Sequence, residues 1–143
     1  MKTFYKFILL AFVTSFPVSY SNAQVLSDRS NISVSAGLTV GLCATVNYEY
    51  RITDKSLISV GYGVIASFDV LPHLDLTHVF LKGNGNHFFE YGYGLFVTTP
   101  FHYPELYANI RLGYRKSNDY NSRFFRTGIS LTEGLYVGFG RSF

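Results

Sequence analysis

Apolar and polar residues alternate along most of this chain with a period of two. The stretch HFFEYGYGLFVT (His87–Thr98) shows it most clearly. Phe89, Tyr91, Tyr93, Leu95 and Val97 fall on one side, and Phe88, Glu90, Gly92, Gly94 and Phe96 on the other. Successive side chains of a β-strand point to opposite faces, so the pattern predicts a strand with two unlike faces. Seven more segments repeat it, at 31–38, 42–52, 57–67, 74–81, 106–116, 123–132 and 135–143. The weakest, 74–81, sets Leu74, Leu76, His78 and Phe80 against Asp75, Thr77, Val79 and Leu81. Between segments lie TDKS (53–56), KGNGN (82–86), SNDYNS (117–122) and TEG (132–134), rich in turn-forming Gly, Asn, Asp and Ser. Pro72, Pro100 and Pro104 fall at expected strand ends or in links, where a missing N–H is tolerated.

The two faces differ in kind. One is bulky, aliphatic and aromatic, with almost no charge. The other combines glycine and serine with Glu49, Arg51, Asp75, Glu90, Arg111, Arg115 and Arg126. An arginine facing lipid near mid-bilayer costs about 2–4 kcal/mol, so the charged face belongs inside. The pattern therefore predicts an all-β fold: an eight-stranded antiparallel up-and-down transmembrane β-barrel. An interior of that size is just filled by side chains, so these seven residues are expected to form a lumen polar network, paired across the barrel. The links at 39–41, 68–73, 99–105 and 133–134 are too short to form a lid, so any blockage must come from inward side chains. The same alternation in a soluble periplasmic barrel would invert the faces and enclose a hydrophobic ligand.

Composition adds a compartment. Of 143 residues 48% are hydrophobic, with 12 Tyr and 14 Phe. Lys2 and Lys6 precede an apolar core, FILLAFVTSF (7–16), and Ser21-Asn22-Ala23 supplies small residues before Gln24. This reads as an export signal over residues 1–23, with 24–143 as the barrel domain. The apolar core is too short for a spanning helix, which needs about 20 residues. Without Lys2 and Lys6 the basic and acidic residues nearly balance, which gives no reason to expect nucleic-acid binding. The single cysteine, Cys43, excludes an internal disulfide and reads as a small inward packing residue.

With these residues in view, the chain resembles the small outer-membrane β-barrel proteins of the Bacteroidota. The likeness lies in LPHLDLTHVFLKGNGNHFFEYGYGL (71–95): a strand with an inward acid, a Gly/Asn turn, then a histidine leading an aromatic-Glu-aromatic-Gly strand. It lies also in FFRTGISL (124–131) and in the glycine-rich last strand ending on Phe143. The resemblance implies a place in the cell outer membrane, with both termini in the periplasm and outer-membrane lipid as the surrounding partner. It further implies recognition by the barrel-assembly machinery, with Phe139 and Phe143 as the assembly signal. The expected role is a structural one in the envelope, with a narrow small-solute channel as the second reading.

No motif points to catalysis, a metal or a cofactor. The GYG triplets at 61–63 and 92–94 and the GFG at 138–140 sit inside strands, where alternation explains them. Histidines 73, 78, 87 and 102 share no metal-ligand spacing. His78 falls on the outward face, where Thr127 is the available hydroxyl, but no outward acid accompanies them to build a triad.

Overall fold

The computed structural model describes residues 30–98, 103–118 and 122–143. The expected export signal lies outside these residues, as do Pro100, His102 and the middle of the 117–122 link. Eight strands follow in order: β1 (Ser30–Leu38), β2 (Leu42–Thr53), β3 (Ser56–Ala66), β4 (Val70–Asn84), β5 (His87–Thr98), β6 (Glu105–Asn118), β7 (Arg123–Ser130) and β8 (Gly134–Ser142). Each pairs antiparallel with its neighbours, and β8 returns to β1 to close the barrel. Closure leaves no strand edge with unpaired backbone groups. At one end, here the base, the amide of Ser30 donates to the carbonyl of Phe143 and the amide of Phe143 returns the bond. The opposite end, the rim, carries the β1–β2, β3–β4, β5–β6 and β7–β8 links.

The alternation decides which way each side chain points. On β1, Ile32 and Val34 are exposed while Asn31, Ser33 and Ser35 are buried; on β2, Val46 and Tyr48 are exposed while Asn47 and Glu49 are buried. The apolar face is thus the outer wall and the polar face the lumen. The base differs: there Leu57, Val79 and Leu81 are inward and buried, with Phe88 packed against them. The lumen wall formed by β3, β4 and β5 is apolar at that end, and the buried ion pairs lie above it.

The main departure from expectation is β4, which runs from Val70 to Asn84. Pro72 is inside the strand, in register with Val64, and His73 points inward. At the other end Lys82, Gly83 and Asn84 pair with Phe89, Phe88 and His87, which reduces the expected KGNGN turn to Gly85 and Asn86. Gly85 has φ +62°, the left-handed conformation that glycine adopts without strain. β7 ends at Ser130, earlier than expected, because Leu131–Glu133 forms the turn into β8.

That turn leaves no room for a side chain at the residue where it enters β8. Gly134 has φ +66°, and a Cβ built on it would stand 1.8 Å from the backbone oxygen of Leu38. Gly134→Ala is expected to lower stability by about 1–3 kcal/mol through backbone strain and this clash. The check is the urea midpoint at which the folded, heat-modifiable gel band disappears. An unchanged midpoint would mean that the turn relaxes at no cost.

Candidate functional site: the charged lumen

β6 and β7 bring two arginines side by side. Arg115 and Arg126 are register partners, and both point inward. Like charges directly opposite in a β-pair repel. Glu49 resolves this from β2. Its carboxylate accepts from Arg115 Nη2 at 2.9 Å and 2.7 Å, and from Arg126 Nη1 at 2.8 Å. Asn31 Nδ2 adds a further donor at 3.2 Å. Glu90 on β5 takes the Nε of Arg115.

A second ionic centre lies nearer the rim. Arg111 Nη2 on β6 pairs with Glu133 at 3.1 Å. Glu133 belongs to the β7–β8 turn, yet it is fully buried and also accepts the hydroxyl of Ser35. One of the inward side chains thus comes from a link: the β7–β8 turn folds a carboxylate into the lumen, where a buried guanidinium holds it.

Aromatic rings separate these centres and cover the inward glycines. Tyr136 shares a rung with Gly128 and Gly113, and a Cβ on either glycine would meet its hydroxyl, at 2.9 Å and 2.6 Å. The guanidinium groups of Arg111 and Arg126 each lie 5.5 Å from the Tyr136 ring centre. Phe124 stacks beneath Arg115 at 4.3 Å and occupies the space left by Gly140. Cation–π contacts in a desolvated interior reach about 2 kcal/mol each.

Six of the seven expected lumen residues, Glu49, Asp75, Glu90, Arg111, Arg115 and Arg126, are buried inside the barrel. Arg51 is half-buried at the base, where the β2–β3 register shifts between Arg51 and Thr53. Asp75 is buried on β4 and takes the hydroxyl of Thr77, not an arginine. Phe96 and Tyr107, expected inside, stack on each other near the rim at 5.2 Å and are partly exposed.

Sequence reasoning missed Glu133, Tyr136 and His73 as interior residues. Tyr136 had a readable signal, since it shares parity with Gly138 and Gly140. His73 faces Thr45 Oγ1 at 3.2 Å, while Cys43 lies inward with its Sγ 3.5 Å from the same hydroxyl. On the outer wall, His78 is covered by Phe80 and Tyr93. Thr127 gives its proton to the Tyr136 carbonyl at 3.0 Å and sits on β7, three strands away from His78 on β4. Among the described residues no group of three or more His, Cys, Asp or Glu is placed to hold a metal.

This closed barrel with its filled interior has a solved counterpart. It is similar to the N-terminal β-barrel domain of OprF from Pseudomonas aeruginosa. The TM-score is 0.67 at 16% identity, and the match covers 81% of this chain and 98% of that one. At that identity the likeness concerns the fold. No protein-family model matches the chain. No curated protein matches it either.

The geometry ranks the carboxylates. Glu49→Ala leaves two adjacent buried arginines unbridged and is expected to cost about 3–5 kcal/mol. Glu90→Ala should cost less, because Arg115 keeps Glu49. Thermal midpoints of the heat-modifiable gel band for both variants test this order, and equal losses would mean that Glu49 is not the hub.

Proposed function

We propose that this chain is an integral outer-membrane β-barrel with a closed, side-chain-filled lumen, serving the envelope structurally and not as an enzyme. The observation that carries this reading is the separation of faces. Exposed Ile, Val, Leu, Tyr and Phe side chains cover the outer wall, while Glu49, Glu90, Arg111, Arg115 and Arg126 are buried within. A soluble barrel enclosing a hydrophobic ligand needs the reverse, and Glu49, Glu90 and Arg126 occupy the space such a ligand would need. Lipid, by contrast, suits a continuous apolar wall closed on itself. The likeness to the OprF barrel domain supports the same reading. The narrower affiliation with the Bacteroidota barrels rests on the sequence motifs alone.

In that setting the base, where Ser30 and Phe143 meet, faces the periplasm and the rim faces outward. Phe139 and Phe143 are both exposed on the outer side of β8, where assembly machinery reading a final aromatic strand could reach them. The channel reading is the weaker one. The ion pairs of Glu49, Glu90 and Glu133 with Arg111, Arg115 and Arg126 fill the middle of the lumen, and Leu57, Val79, Leu81 and Phe88 line its base with apolar surface on β3, β4 and β5.

Alkaline carbonate should leave the protein in the membrane pellet; its release to the supernatant would overturn the integral reading. A sharper test is Val46→Arg on the outer wall of β2, which should cost about 2–4 kcal/mol for the barrel folded in lipid vesicles. A neutral effect there would mean that the outer wall is not against lipid. Defined conductance steps from the unmodified protein in a planar bilayer would restore the channel reading.

A further inference from the structure

We infer that the lumen binds an alkali metal cation between Asp75 and Asn47, above Gly61. The argument begins with the direction of the hydrogen bonds. Ser35 has one proton, and its closest acceptor is the Glu133 carboxylate; the Thr45 carbonyl, at 3.5 Å, is the longer alternative. With that proton committed, Ser35 Oγ can only accept from Asn47, whose Nδ2 lies 3.3 Å away. This fixes the amide: Asn47 turns its nitrogen to Ser35 and presents its oxygen elsewhere. Thr77 repeats the logic. Its hydroxyl donates to Asp75 Oδ1 at 3.3 Å and accepts from Asn109 Nδ2 at 3.1 Å.

The oxygens left over converge. Asn47, Gly61 and Asp75 occupy one rung across β2, β3 and β4. A Cβ built on Gly61 would stand 2.3 Å from Asp75 Oδ2 and 2.7 Å from Asn47 Oδ1. Both oxygens are buried without a hydrogen-bond partner, and neither side chain exposes surface. Two acceptors, one of them a carboxylate, thus face a spot that glycine leaves open, and with Asp75 ionised neither can donate to the other. Ser33 is the cross-strand partner of Asn47, and Ser59 is the next inward residue of β3; their buried hydroxyl oxygens are also unpartnered.

Charge points the same way. The fully buried arginines are Arg111 and Arg126, with Arg115 nearly so, against the acids Glu49, Glu90, Glu133 and Asp75. The guanidinium ion pairs go to Glu49, Glu90 and Glu133, and Asp75 is the acid left without one among the described residues. Arg111, whose charge also acts on Asp75, gives its ion pair to Glu133, and a buried carboxylate without a paired counter-charge is costly. A carboxylate with amide and hydroxyl oxygens is a hard donor set, suited to oxygen-seeking cations. Its single negative charge favours a monovalent ion over Ca²⁺, which takes six to eight oxygens and usually several carboxylates.

The test compares thermal midpoints of the folded barrel in sodium or potassium chloride with those in choline chloride at equal ionic strength. The metal salts should raise the midpoint by about 5 °C, as expected for a site filled well above its Kd. Asp75→Asn, nearly the same shape without the charge, should erase the difference between salts. Crystals soaked in thallium(I) supply a readout that needs no variant, with an anomalous peak expected between Asp75 and Asn47. Equal midpoints in all salts, or thallium crystals without that peak, would overturn the proposal. Asp75 would then hold a proton or turn to Arg111.

Discussion

Two arginines placed face to face on neighbouring strands are tolerable only if a negative charge reaches them from across the barrel. Glu49 is that charge. Arg115 and Arg126 are fixed to adjacent inward positions by the β6–β7 register, so their repulsion cannot be relieved by a local shift. A carboxylate from β2 bridges them, and this ties one wall of the barrel to the opposite one. Glu90 adds a second carboxylate to Arg115, and Phe124 stacks beneath the same guanidinium. Replacing Glu49 alone leaves both arginines buried and charged without their bridge, which is the costly outcome for ionic interiors.

Space for this cluster comes from glycine. Tyr136 lies across the rung of Gly128 and Gly113, Phe124 covers Gly140, and Asp75 and Asn47 lean over Gly61. Large inward side chains of one strand are accommodated where the neighbouring strand has none. An interior of eight strands has no room for bulky residues at every inward position. The GYG and GFG triplets are the visible trace of this packing: an aromatic residue outside, flanked by two positions that make room inside.

Much of the architecture was legible because a strand closed into a barrel exposes every residue to one of two environments. The alternation of β2, β5 and β6 therefore carried the segment limits, the strand order and the sidedness of Glu49, Glu90 and Arg111. β4 was less legible because Pro72, Lys82, Gly83 and Asn84 have weak strand preferences. Their extension is imposed by pairing with β3 and β5, which local sequence does not display. Glu133 escaped notice for a different reason: a turn residue has no parity, so nothing in TEG says which way the carboxylate swings. Arg51 had the right parity, and its place at the base leaves it half-buried where the other six are buried. The apolar base was concealed by the same two-face reading, which counted Val79, Leu81 and Phe88 with the polar face although they pack together with Leu57.

The closure of β1 on β8 has a consequence for time as well as shape. Hairpins such as β4–β5 join residues close in sequence, and contacts of that kind form early. The bridge from Glu49 to Arg115 and Arg126 spans 66 and 77 residues, and it exists only once the sheet has curled far enough for opposite walls to face each other. Interactions absent from the transition state act on unfolding and leave the folding rate nearly untouched. The ionic centre is then a latch engaged after assembly: it governs how long the closed barrel persists, while the order in which strands come together is left to the turns.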